Sequence, residues 1–206
     1  MDKTDTKTTA ATTVADDIRP DIFDGEASWI AALFRAGLPT LHLRKPDAPI
    51  EAVRALLRSV PEEFHDRIVL HDCFSLTREF ALRGVHLNGR NPEPPENHCG
   101  SVSRSCHDLD EVRRYKPSCD YVTLSPVFDS ISKRGYASAF ALPQLEMARA
   151  EGIIDDKVIA LGGVTADRLP AVRRMGFGGA ALLGAIWSAA DPDTAARRLK
   201  TMLETI

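Results

Sequence analysis

The sequence predicts a single-domain α/β protein, a TIM (β/α)8 barrel with a weak first strand, and three observations lead there. Short β-branched runs alternate with helical periods from Asp21 to the end of the chain. The length, 206 residues, is one at which α/β barrels form a single domain. The strands are apolar along their length and polar where they end, as in a parallel sheet covered on both faces. Seven strand–helix units follow Asp21, so the missing first strand of eight is expected within residues 12–17, with residues 1–10 a flexible tail and 11–206 the barrel.

Glu26 to Ala36 carries Trp29, Ile30, Leu33 and Phe34 at helical spacing and stops at Gly37. A strand is predicted over Thr40–Lys45, and a helix over Pro49–Val60, opened by proline and closed by Pro61. Arg67–Asp72 is the next strand, Ser75–Arg83 a short helix ended by Gly84, and Val85–Asn88 a strand. After the proline-rich loop at 91–100 come a strand over Ser101–Ser105 and a helix from Asp108. Asp120–Leu124 is a strand cut by Ser125-Pro126, because proline cannot donate to a ladder, and a helix follows over Leu142–Glu151. Lys157–Leu161 runs into Gly162-Gly163, Thr165 is expected to cap a helix to Met175, and Gly178–Leu183 is the last strand before a helix over Asp193–Ile206.

Composition narrows the function. A net charge of −3 gives no reason to expect nucleic acid or an acidic membrane surface, and no apolar run approaches the roughly 20 residues needed to span a bilayer. The first twenty residues lack the apolar core of a secretory signal, so a cytoplasmic location is expected. Cys73, Cys99, Cys106 and Cys119 show no CxxC spacing, which predicts free thiols; neither His98-Cys99 nor Cys106-His107 has the spacing of a zinc site.

In a parallel barrel the strand C-termini share one face and build the site. Here they deliver His42, Arg44 and Lys45, then His71 and Asp72, Asn88 and Asn91, Ser103 and Ser105, Ser125, Gly162-Gly163 and Gly184. The loop after Phe128 adds Ser130, Ser132, Lys133 and Arg134, two hydroxyls and two cations ahead of Gly135, a pattern suited to a phosphate and also found in plain solvated turns. Glycines after strands seven and eight stand where barrels bind phosphate through backbone N–H groups. Asp72 is a candidate Mg2+ ligand amid these cations, or else a helix cap or an ion-pair partner of Arg67. His86, interior to its strand, is expected as a hydrogen-bonded core histidine, whereas His42 fits either role.

HLRK at 42–45, IVLHD at 68–72, GVHLNGRN at 84–91, SCHDLDEV at 105–112, SPVFDSISKRG at 125–135, ALGGVTADRL at 160–169 and LLGAIWSAADP at 182–192 together resemble the thiamine phosphate synthase and thiazole tautomerase superfamily. The resemblance implies a synthase that joins hydroxymethylpyrimidine diphosphate to a thiazole phosphate with Mg2+, releasing pyrophosphate. It implies that Arg44 and Lys133 hold the diphosphate with Ser130 and Ser132, that Asp72 binds Mg2+ beside Asn91, and that Ser105 lies near the pyrimidine. His42, Lys45 and His71 would line the substrate, and Gly163, Leu183 and Gly184 would hold the thiazole phosphate. Pairing into a homodimer is a further implication. The chain departs from the synthase pattern at His42, at Lys45-Pro46, at His71 before Asp72, and at Asn91, where a carboxylate is usual and whose amide would bind Mg2+ more weakly. Arg104-Ser105 with His107 is closer to the tautomerase branch, while Pro126 replaces that branch's histidine, and a barrel that only binds phosphorylated ligands is a third alternative.

Overall fold

The computed structural model describes residues 13–15, 21–129 and 140–204. Eight parallel strands follow one another in a single sheet, each hydrogen-bonded to the next in chain order. They are β1 (Thr13–Ala15), β2 (Thr40–Leu43), β3 (Ile68–Leu70), β4 (Gly84–Leu87), β5 (Ser101–Cys106), β6 (Tyr121–Leu124), β7 (Val158–Ala160) and β8 (Gly179–Ala180). The first strand falls inside the segment the sequence singled out and pairs Val14 with Leu41. The pairings of the described residues run from β1 to β8.

Helices α1 (Glu26–Arg35), α2 (Ile50–Ser59), α3 (Leu76–Glu79), α4 (Leu109–Tyr115), α5 (Leu142–Ala150), α6 (Leu169–Arg174), α7 (Gly184–Trp187) and α8 (Pro192–Leu203) connect the strands, except that β4 runs to β5 through a loop and that both α7 and α8 follow β8. Their limits follow local chemistry. Asp108 and Asp191 accept the backbone N–H of Glu111 and Thr194, capping α4 and α8. Thr165 makes no such side-chain cap; the segment opens as a 3-10 turn over Ala166–Arg168 before α6 begins. α3 is shorter than expected because Ala81 takes a positive φ of 50° and turns the chain toward β4.

The hydrophobic core lies between sheet and helices, where Leu41, Leu43, Ile68, Leu70, Val122, Leu124 and Val158 meet Ile30, Leu33, Leu57, Val112, Leu145 and Leu199. Burial of this apolar surface holds the layers together. Phe23, Trp29 and Trp187 pack where the first and last units meet, with the two indoles stacked at 5.9 Å, and α1 lies on α8. All four cysteines are free.

Candidate functional site

Because strand side chains alternate, the residues that leave the core face point to the barrel interior. That interior is polar on the β2–β6 side. His42, His71, His86, Ser105 and Thr123 look into a cavity of about 490 Å³ at the C-terminal ends of the strands, with Leu161, Ala181 and Leu183 forming the opposite wall. Arg44, Arg90 and Arg104 also line it, with His107, Glu111, Tyr115 and Ser125.

The floor is a cluster of three histidines. His42 Nδ1 lies 2.8 Å from His71 Nε2, and His42 Nε2 lies 2.6 Å from the Tyr121 hydroxyl. His71 and His86 stack at 4.2 Å, and His86 is held between the hydroxyls of Ser103 and Ser105, each at 2.8 Å. All three are buried. Burial, the first cause, lowers the His42 pKa to about 3, with the positive charge of Arg83 adding to it. The same desolvation drives His71 and His86 well below their ordinary value, helped at His71 by His86 and His42 and at His86 by His42 and Arg104. The imidazoles are therefore neutral at pH 7.

Charge gathers above them. Arg104 stacks its guanidinium 3.9 Å from the Tyr115 ring and donates to Pro92 O at 2.9 Å. Asp72 accepts from Arg90 at 3.1 Å and from the Asn91 side-chain amide at 3.0 Å. Asn88 folds this loop by accepting the backbone N–H groups of Arg90 and Asn91. Thr123 Oγ1 is buried without a hydrogen-bond partner among the described residues. An orphaned hydroxyl on a cavity wall suits a polar ligand.

Across the cavity, Gly162 and Gly163 take φ of 91° and 63°. A Cβ on Gly163 would lie 2.4 Å from Asp129 O, so only glycine lets the β7 exit pass this close to the β6 exit. Arg168 fastens the turn by donating to Gly163 O at 2.7 Å.

The thiamine monophosphate synthase family profile matches residues 13–186. The chain belongs to this family. It is 31% identical to the thiamine-phosphate synthase of Cronobacter sakazakii over 182 residues, covering 83% of this chain and 85% of that one. It is 30% identical to that of Serratia proteamaculans, covering 85% and 87%. The crystal structure of a thiamine phosphate pyrophosphorylase from Bacteroides thetaiotaomicron superposes with a TM-score of 0.85 and 38% identity, covering 94% of this chain and 96% of that one.

The structure brings His42, Arg44, His71, Ser105 and Leu183 to one cavity. Gly163 sits at the β7 exit and Gly184 opens α7 after β8. Ser130, Ser132 and Lys133 lie outside the described residues. Lys45 needs a correction. His42 and Arg44, two residues apart, face the cavity, so Lys45 takes the opposite face with Leu43, where its ammonium meets the Glu26 carboxylate at 2.8 Å and Asp21 O at 3.0 Å, shielded from the cavity. Asp72 pairs with Arg90, while Arg67 donates to the carbonyls of Leu38 and Pro39.

For Mg2+, the Asp72 carboxylate is a fitting hard-oxygen ligand, held beside the cavity by its ion pair with the lining residue Arg90. Asn91 as placed is not: its amide N–H donates to both Asp72 Oδ1 and His71 O, and turning its oxygen that way would set it against two acceptors. His86 is a hydrogen-bonded histidine of the interior, as expected, and it also lines the cavity. Sequence reasoning missed Arg90, Tyr121 and Thr123. Tyr121 is 79 residues from His42, a distance at which no local pattern signals contact.

Proposed function

We propose that this protein is a thiamine-phosphate synthase, a transferase that joins hydroxymethylpyrimidine diphosphate to thiazole phosphate and releases pyrophosphate. The observation that carries it is the family match together with a cavity at the strand exits rimmed by Arg44, Arg90 and Arg104. Departure of a diphosphate leaves negative charge on the leaving group, and preorganised cations stabilise it where it develops. Arg44 takes this role from β2, and Lys133, Ser130 and Ser132 join it from the loop after β6. The pyrimidine lies between Ser105 and the apolar wall of Leu161 and Leu183. A ring that turns cationic as diphosphate leaves is tolerated there because the three imidazoles below carry no charge. The thiazole phosphate binds at the Gly163 turn and the Leu183-Gly184 step. Mg2+ supplies further positive charge to the diphosphate when bound, and Asp72 is the residue that would hold it.

The same reading takes the sheet as a closed barrel, with β1 returning to β8; the packing of α1 on α8 and the Trp29–Trp187 stack support closure. No helix among the described residues is long and apolar enough to cross a membrane.

The test is thiamine phosphate formation from the two substrates and Mg2+, read as thiochrome. Product that disappears with Lys133→Ala and with chelator supports the synthase; no product overturns it. One observation favours a second reading. The His71–His42–Tyr121 hydrogen-bonded chain offers groups able to pass a proton, as a thiazole tautomerase needs. Aromatisation of the carboxylated thiazole phosphate, without thiamine phosphate formation, would select it. Thiazole phosphate binding without turnover in either assay would leave a ligand-binding barrel.

A further inference from the structure

The three histidines have a property that neither substrate requires of them. They come from adjacent strands, His42 from β2, His71 from the exit of β3 and His86 from β4, and one ring nitrogen from each lies within 4.8 Å of the other two. They form the one such group of potential ligands among the described residues. Burial alone would be met by hydrogen bonding, but the partners here are arranged as an outer shell. Tyr121 Oη binds His42 Nε2 and leaves Nδ1 pointing at the cluster. Ser103 Oγ binds His86 Nδ1 and leaves Nε2 for a ligand bond, at which point the Ser105 hydroxyl turns away. His71 Nε2 and His42 Nδ1 share a hydrogen bond of 2.8 Å, so a metal ion would take the place of the proton between them.

We propose that His42, His71 and His86 form a three-nitrogen site for a divalent transition-metal ion of the zinc class, with its fourth coordination position open to the cavity. The donor chemistry selects the ion, because imidazole suits zinc, cobalt or nickel and is a poor ligand for Mg2+, which prefers oxygen. Neutral imidazole is the ligating form, and burial already holds all three in it. Metal–nitrogen bonds of about 2.0–2.1 Å in tetrahedral geometry place ligand nitrogens about 3.3 Å apart. The His42–His71 pair would open slightly, and the His86 ring would turn out of its 4.2 Å stack on His71 to aim its nitrogen at the ion. Three protein ligands and one free position is the pattern of catalytic rather than structural zinc. With no carboxylate among the ligands, the ion keeps its full charge and would draw an anionic or carbonyl oxygen of a cavity ligand to the floor. The site does not depend on the synthase reading, and its ligands differ from Asp72, which follows His71 in the chain and pairs with Arg90.

The test uses the full-length wild-type chain stripped with chelator and titrated with Co2+ alone, followed by visible absorption and calorimetry. The expected result is one Co2+ per chain with ligand-field bands of a four-coordinate nitrogen site, displaced by stoichiometric Zn2+ and unmoved by millimolar Mg2+. His42→Gln, His71→Gln and His86→Gln each weaken binding by more than about 100-fold, Tyr121→Phe by about 10-fold, the scale of losing an outer-shell partner. His98→Gln, on the loop before β5, leaves it unchanged. Failure of the folded wild type to bind Co2+ in the high micromolar range overturns the proposal whatever the variants do. Binding that survives in all three histidine variants overturns it too, since the ion would then sit elsewhere. Thiamine phosphate formation is scored separately, so failure of the metal site and failure of the synthase reading give different results.

Discussion

His42 and Lys45 lie three residues apart at the end of the same strand, both buried, and they belong to different parts of the molecule. Lys45 faces the helices, closed in by Glu26 at 2.8 Å and Asp21 O at 3.0 Å near the seam of Phe23, Trp29 and Trp187. His42 faces the barrel interior, neutral, touching His71 and Tyr121 at the floor of the cavity. The first is a buried ion pair facing away from the cavity. The second is a set of lone pairs and hydroxyls beside open space. Burial of polar groups therefore does not mark a site here; the face of the sheet does.

The strongest way to break this comparison is to remove the Lys45 ammonium. Lys45→Met leaves Glu26 as an uncompensated buried charge, which costs about 3–5 kcal/mol of stability. Denaturant melts should show that loss, and Glu26→Gln in the same chain should restore most of it. Substrate KM of the folded fraction should stay put. An intact melt with a raised KM would return Lys45 to the site.

Acid titration sharpens the other half. An unfolded histidine binds a proton near pH 6.5, whereas His42 in the fold does so only near pH 3, and His71 and His86 are lowered in the same direction. Between those limits the unfolded state holds more protons, so stability is full above about pH 6.5 and falls as pH drops. The slope approaches about 1.4 kcal/mol per pH unit for each histidine. Arg44, Arg90 and Arg104 line the same cavity. Unfolding free energies of the metal-free protein at pH 7 and pH 5 measure the slope, and His42→Gln should remove one histidine's share. A flat profile would mean that the interior is wet enough to protonate in place.

Strand parity explains what the sequence could and could not tell. Alternating strands and helices were legible because parallel strands buried on both faces form apolar runs, and the stops at Gly37, Pro61, Asp108 and Asp191 are local chemistry. Arg44, His42, His71 and Ser105 were legible as strand-exit residues. Lys45 was misplaced because it was read by its charge, although two-residue periodicity puts it opposite Arg44. Arg104 neighbours Ser103 and Ser105 on β5, yet its length carries the guanidinium round to Tyr115 and the cavity, which parity alone cannot show. Tyr121 and Thr123 became visible only when β6 was laid beside β5.

Arg44 gives the complementary test on the inner face. Arg44→Ala should lower kcat/KM for thiamine phosphate formation by about 100–1,000-fold, the usual effect of deleting one preorganised charge-stabilising group. Its stability should change little, the reverse of Lys45→Met. A large loss of stability with kcat/KM preserved would move Arg44 to the scaffold.

Asp72 tests whether the division has a middle. It pairs with Arg90, which lines the cavity, yet it is engaged by Arg90 and Asn91 as if it were scaffold. Asn91→Asp replaces a donor to Asp72 Oδ1 and His71 O with a carboxylate facing both acceptors, which should cost about 1–3 kcal/mol in chelator. If the rim is a divalent-cation site in waiting, the second carboxylate supplies the missing hard ligand. Mg2+ should then raise the Tm of the variant by several degrees more than that of the wild type. Equal Mg2+ responses in both proteins would place Asp72 with Lys45, as an ion pair that happens to border the cavity, and would leave the arginines and the β6–α5 loop to manage the diphosphate.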